Sequence, residues 1–317
     1  MAHCVSTCLL DWKLDKMFTI TVDNASSNDV MVKELYKQLV NWGSNMKFGE
    51  HLHVRCMAHI LNLIVQDDLK EIGASVKRVR QMVKYIKVSP ARIRKFNECC
   101  GFENIECKKS LCLDVPTRWN STYLMLDTAH HFETAFNRYD REDSGLSIYL
   151  ATNVCEDGSV TGVFKNDDWQ NVRNMVIFLN RFYDLTVKVS GALYVTSNVH
   201  FEDIIELYNY LKECMEDNDF ALRKIAKKMK EKFVKYWGAP EKINKLFFIA
   251  SILDPRNNRA YVGDALVDMY GEERGSKIRD EVETYMKSLF QEYARKFSNA
   301  SRHTSSLSNS LGEIPNI

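Results

Sequence analysis

Proline and glycine are scarce, at 5 and 13 in 317 residues. That excludes collagen-like and low-complexity chains, and a hydrophobic share of 45% excludes a wholly disordered one. No stretch approaches the roughly 20 uncharged apolar residues of a membrane-spanning helix. The longest candidate is the short LNLIV run at 61–65, so the chain reads as soluble, with no membrane partner. The opening, MAHCVSTCLLDWKLDK, has no basic start, and Asp11 and Lys13 break its apolar stretch, which argues against a signal peptide. The cysteines are nine, an odd number without a regular framework, and predict free thiols in a reducing compartment. A G-x-S-x-G elbow, a Walker loop and a G-x-G-x-x-G turn are all missing, so the commonest nucleophile and nucleotide-phosphate classes lack support. An excess of either charge is missing too: 43 Lys+Arg face 42 Asp+Glu, a formal net charge of +1. Such a total argues against a nucleic-acid partner only where charge is evenly spread.

It is not evenly spread. Lys77, Arg78, Arg80, Lys84, Lys87, Arg92, Arg94 and Lys95 follow one another with no acidic residue between them. A second run holds Arg223, Lys224, Lys227, Lys228, Lys230, Lys232, Lys235, Lys242 and Lys245 against Glu231 and Glu241. The acidic counterweight lies in 202–219 and 264–283. Basic runs displace counterions from phosphates and so mark candidate nucleic-acid faces. Each run fits a solvated helix face equally well.

At 317 residues the chain is long enough for about two domains. MFTITV at 17–22 is β-branched and aromatic and predicts a buried strand ending at Asp23. Asn24, Ser26, Ser27 and Asn28 offer N-caps for a helix that Gly43 stops. HLHVR at 51–55 alternates like a second strand, and a helix follows over 56–69. Further helices are predicted at 74–88, 119–139, 168–189, 201–215, 221–237, 242–252 and 275–297. The fold class is predominantly α-helical α/β. Two strands alone make a poor sheet. Residues 298–317, with six serines, read as a disordered tail.

Asp23, at the carboxyl end of a buried strand, stands where open α/β sheets gather ligands. A carboxylate there suits a hard cation such as Mg²⁺, which takes more than one oxygen ligand; it suits helix capping as well. His51, His53, Cys56 and His59 form H-x-H-x2-C-x2-H, but the pairs lie on a strand and a helix, and the spacing is too tight for a usual zinc site. No zinc is expected. In LDVPTRWNSTYLML at 113–126, Arg118 and Trp119 open a helix. Arg beside Trp at a helix start suits gripping a phosphate and stacking an unpaired base, or else a Trp filling the core beneath a solvated Arg.

Taken together, FTITVDNASSND (18–29), RCMAHILNLIVQD (55–67), LDVPTRWNSTYLML, FYDLTVKVSGALYVTSN (182–198), MKEKFVKYWG and ILDPRNNRAYV resemble the hAT superfamily of DNA transposases. The likeness extends to its plant RICESLEEPER-type zinc-finger BED branch. It implies a partial RNase H-like core at 1–60, a large helical insertion at 61–200, and a helical hAT-like transposase RNase H-fold region at 201–297. It also implies DNA as partner, Mg²⁺ as cofactor and a nuclear location. By the resemblance Asp23 is the second catalytic acid and a metal ligand. Cys56 and His59 match the family's C-x2-H signature near the DNA. Arg118 and Trp119 match the pair that supports a flipped base. Lys77, Arg78, Arg80, Lys84, Arg92, Arg94, Lys227 and Lys228 are the candidate DNA-binding cations.

The family's BED finger, first catalytic Asp, third catalytic Glu and C-terminal dimerisation segment have no match in these residues, although full-length members form dimers or larger oligomers. One carboxylate does not make a two-metal site. The expectation is therefore a DNA-binding fragment of a cut-and-paste transposase, truncated at both ends and inactive alone. The competing expectations are a domesticated regulatory or protein-interaction module and an incomplete gene model of an active enzyme.

Overall fold

A computed structural model describes residues 1–14, 17–42, 51–69, 73–155, 157–191, 193–194, 196–257 and 259–308. The chain starts with α1 (Ala2–Asp11), β1 (Ile20–Val22), α2 (Ser26–Asn41) and β2 (His53–Arg55). There follow α3 (Met57–Leu69), α4 (Gly73–Lys87), α5 (Pro90–Phe102), α6 (Trp119–His131), α7 (Glu133–Glu142), α8 (Ser144–Thr152) and α9 (Asn166–Val189). The rest is α10 (His200–Cys214), α11 (Phe220–Trp237), α12 (Lys245–Ile252), α13 (Arg259–Tyr270) and α14 (Glu272–Ser308). No helix among the described residues is long and apolar enough to cross a membrane. The fold is predominantly helical with a small β component, as the hydrophobic periodicity predicts.

The elements group into two compact units. One joins Met1–Arg55, Val195–Ile205 and Trp237–Ile317; the other joins Cys56–Tyr194 and Glu206–Tyr236. The linear regions 1–60, 61–200 and 201–297 thus differ from the spatial units, because the end of the chain packs with its beginning.

In the first unit β1 and β2 pair in parallel, with Ile20 opposite His53, Thr21 opposite Val54 and Val22 opposite Arg55. Each strand is shorter than its apolar run predicts, since only the residues that find a partner adopt ladder geometry. Helices α1 and α2 pack beside them, burying Leu9, Met31, Val32, Leu35, Leu39 and Leu52 in one cluster that Ile20 and Val22 join. Long-range ties close the unit. Asn244 Nδ2 donates to the His51 carbonyl at 3.1 Å, and the His51 ring meets Tyr285 edge-on at 4.8 Å. His200 is buried and stacks on Phe247 with ring centroids 3.7 Å apart.

Helices α13 and α14 form a close antiparallel pair. Gly271 makes the turn at φ +85°, a conformation that favours glycine. At Gly275 a Cβ would stand 2.5 Å from the Leu266 carbonyl oxygen, so only glycine permits this approach. Helix α14 runs on to Ser308. The helix thus takes in 298–308, the first part of the region expected as a tail; 309–317 lie outside the described residues.

Among its described residues the second unit's regular structure is helical, apart from an isolated antiparallel bridge between Val154 and Val160. Its core holds Trp119, Phe136, Tyr139, Phe178, Phe182 and Phe233. Caps set its boundaries: Asp143 accepts the Gly145 N–H at the start of α8, and Asp168 accepts the Lys165 N–H at 2.6 Å at the start of α9. The helix expected over 119–139 is instead two. Phe132, with φ −107° and ψ 17°, ends α6 and begins α7 while its ring stays buried. Helices α1, α5, α8 and α13 add to those predicted.

Candidate nucleic-acid interface

Asp23 follows β1 directly and is exposed. Its Oδ1 accepts the Ala25 N–H at 2.9 Å and the Asn28 Nδ2 at 2.6 Å, an Asx-type turn that launches α2. The carboxylate therefore fixes a strand-to-helix turn, while Ala25 stands at the N-cap of α2 with no side-chain cap bond. Among the described residues no three His, Cys, Asp or Glu side chains converge in a way that would hold a metal ion. The described residues thus do not by themselves fit a two-metal Mg²⁺ centre around Asp23.

The H-x-H-x2-C-x2-H residues are distributed across two environments. His51 is buried against Phe18 and Tyr285. His53 Nδ1 lies 3.6 Å from Asp29 Oδ1, and burial, aided by the Arg55 cation, lowers its pKa against the pull of Asp29. Both belong to the first unit. Cys56 and His59 belong to the second, where the Cys56 carbonyl accepts the Ile60 N–H at 3.1 Å to start α3. Both side chains are half-buried.

At the start of α6, Arg118 has extended backbone (φ −124°, ψ 99°) and an exposed side chain, whereas Trp119 is only 1% exposed. The loop ahead of them is firmly held. Ser121 Oγ accepts the Val115 N–H at 2.8 Å, and Gln66 Nε2 on α3 donates to the Thr117 carbonyl at 3.0 Å. In this structure Trp119 fills the core, the alternative that its sequence also allows. A ring in the core presents no face to a base, and only Arg118 meets solvent.

The first basic run also needs reassignment. Arg80 forms a two-pronged pair with Asp114, Nε to Oδ1 at 2.7 Å and Nη2 to Oδ2 at 2.6 Å. Asp114 also accepts the Thr122 hydroxyl at 2.7 Å, and its side chain is 0% exposed. Burial disfavours its charge, but the bonds from Arg80 and Thr122 outweigh that and hold its carboxyl below the usual range. Arg78 pairs with Asp168 at 2.7 Å, and Lys77 with Asp157 at 2.5 Å. Lys87 donates to the Leu111 carbonyl at 2.8 Å and Lys95 to that of Glu142 at 2.6 Å. Arg92 lies 3.6 Å over the Tyr85 ring. These cations tie α4 and α5 to their neighbours; Lys84 and Arg94 remain exposed.

The second run keeps more of its charge at the surface. Along α11, Lys224, Lys227 and Lys235 are exposed and Lys228 is half-buried. Lys230 turns inward, with Nζ 3.1 Å from the Tyr208 ring centre, and burial lowers its pKa to about 8. Sequence reading missed the partner carboxylates Asp114, Asp157 and Asp168. No local signal marks them, because each lies 34 to 90 residues from its cation.

Residues 198–293 match the family model of the hAT-like transposase RNase-H fold, and residues 54–176 match that of the ZBED1 RNase-like helical domain. These matches define a transposase-derived class. The chain belongs to the hAT superfamily of transposases and their BED-type relatives. It is 34% identical over 295 residues to the zinc finger BED domain-containing protein RICESLEEPER 2 of Oryza sativa subsp. japonica, covering 92% of this chain and 38% of that protein. RICESLEEPER 1 of the same species gives the same 34% identity and the same coverage. The putative AC transposase of Zea mays is 29% identical over 296 residues, covering 93% of this chain and 35% of its own length. The chain thus spans between a third and two fifths of these relatives.

Proposed function

We propose that the chain is the DNA-engaging part of a hAT transposase-derived protein acting in the nucleus, and that by itself it binds duplex DNA without cutting it. The observation that carries this is the exposed cationic face of α11, with Arg118, Lys84 and Arg94 as further solvent-facing cations of the same unit. Phosphate binding needs cations that solvent can reach. The cations paired inside the unit act instead as its internal ties. Asp23 supplies a carboxylate at the strand end where open α/β sheets gather ligands, and a Mg²⁺-dependent cleavage site would need further carboxylates beside it.

Two measurements test this. Duplex affinity should fall steeply with salt, and Lys224→Glu with Lys227→Glu should flatten the log–log slope by about one for each phosphate no longer neutralised. No duplex binding at low salt would instead favour a protein-interaction module, a reading supported by the internal pairing of the α4 cations. For the second, supercoiled plasmid is incubated with the protein and Mg²⁺ or Mn²⁺. Metal-dependent nicking that disappears in Asp23→Ala would overturn the non-cutting proposal.

A further inference from the structure

Within the second unit a cavity of about 370 Å³ opens between the start of α4, the middle of α9 and the first turn of α11. Its volume is at the small end of ligand pockets, roughly 300–1,000 Å³. Phe220, 73% exposed, lines the cavity and presents its ring to solvent. Met175 and Leu222 supply apolar wall. The polar lining includes the acceptors Asp219 and Asn171. Asp219 Oδ1 accepts the N–H groups of Ala221 at 2.8 Å and Leu222 at 3.3 Å, and its Oδ2 accepts Asn174 Nδ2 at 2.6 Å. These bonds hold the carboxylate rigidly in place as the cap of α11. Asn171 uses its amide nitrogen on Ser75 Oγ at 3.2 Å, and its carbonyl oxygen takes no hydrogen bond among the described residues. Just beyond the ring the α11 cations begin, with the Arg223 guanidinium 5.7 Å from the Phe220 centre and Lys224 lining the cavity.

A flat apolar face, acceptors at the edge and a row of cations along the adjoining helix match one ligand chemistry: an unpaired nucleobase whose phosphates continue along α11. Resting on the DNA reading above, we propose that this cavity receives a single base from unpaired DNA, stacked on Phe220. The base's exocyclic amine donates to the Asp219 carboxylate and the Asn171 carbonyl. Cytosine, adenine and guanine carry such an amine and thymine does not. The pocket therefore prefers amine-bearing bases, and Phe220 takes the stacking role that the buried Trp119 cannot fill.

The test uses the whole chain with fluorescent dC12, dT12 and a duplex, read by anisotropy. The wild type should hold dC12 more tightly than dT12. Phe220→Ala should weaken dC12 binding about fivefold or more, the usual scale for losing one stacked base, with duplex affinity unchanged. Because the ring is solvent-facing, thermal melts should show the variant folded. Asn171→Leu, a second substitution at the cavity, should narrow the dC12 over dT12 preference. Equal binding of dC12 and dT12, or dC12 affinity insensitive to Phe220→Ala while duplex binding persists, overturns the base pocket alone. Absence of duplex binding in the wild type overturns the DNA reading itself.

Discussion

Replacing Arg80 separates the two roles open to the first basic run. Arg80→Ala removes both prongs of the pair with Asp114 and leaves a carboxylate with 0% side-chain exposure and only the Thr122 hydroxyl among its side-chain partners. Stranding one member of a buried ion pair costs about 3–5 kcal/mol. Arg80 itself is 25% exposed, so water screens the pair and the lower end, about 3 kcal/mol, is the expected loss. For a unit of this size that is roughly 6–12 °C in Tm. Exposed Lys84→Ala should stay within about 0.5 kcal/mol of wild type. The pH dependence adds a second signature. In the wild type Asp114 has a depressed folded pKa, so its contribution is complete above the ordinary carboxylate value near 4 and is lost as pH falls through the folded value. In the variant the unpaired carboxyl titrates above its ordinary value, and protonation relieves its burial. The stability gap should therefore begin to narrow above pH 4, as the variant's carboxyl takes up its proton, and go on narrowing below about 4 as the wild type loses the contribution of the pair. Thermal melts by circular dichroism from pH 7 to 3 read both effects. An Arg80→Ala protein that melts with wild type yet loses duplex affinity would refute the reasoning and return Arg80 to the DNA.

Other perturbations address different parts of the fold. Trp119→Ala should cost about 3–5 kcal/mol in denaturant titrations, because the ring is a core element; a variant as stable as wild type would show it to be outside the core. Gly275→Ala places a Cβ 2.5 Å from a backbone oxygen of α13 and should destabilise the first unit by about 1–3 kcal/mol in calorimetry; an unchanged melt would show that the helices part freely. Burial lowers the His200 pKa to about 3, so the neutral ring contributes stability above its unfolded pKa near 6.5, and that contribution is lost as pH falls toward 3. His200→Phe should flatten stability against pH over that window, and an identical profile would exclude His200 as its source.

Local pattern carried much of the fold. The β-branched run at 17–22 and the alternation at 51–55 each contain one of the two paired strands, 20–22 and 53–55, and caps and periodicity place α2, α3, α4, α9, α10 and α11 within a few residues. The break at Phe132 is not visible, because a buried aromatic fits a continuing helix as well as a bend. The resemblance to the transposase family, too, is carried by contiguous motifs and is matched by the family models. Site chemistry was harder to read. A run of Lys and Arg looks the same whether it faces water or meets carboxylates from distant segments, and only the folded chain brings Asp114 to Arg80 and Asp168 to Arg78. Trp119 fits a stacking platform and a core plug equally in sequence; the packing of α6 decides for the plug.

The three-segment make-up of the first unit bears on how the protein emerges from a ribosome. Most of the second unit, 56–194, is translated as one stretch, so it can begin to condense with few distant partners to await. The first unit cannot finish so early. The bond from Asn244 to the His51 carbonyl spans 193 residues, and the ring that covers His51 is that of Tyr285. Until α12 to α14 leave the exit tunnel, β1 and β2 lack the cover that Asn244 and Tyr285 bring to His51, and closing so long a loop is slow. The window for misfolding of this unit therefore runs from the synthesis of β1 and β2 to that of α12 to α14.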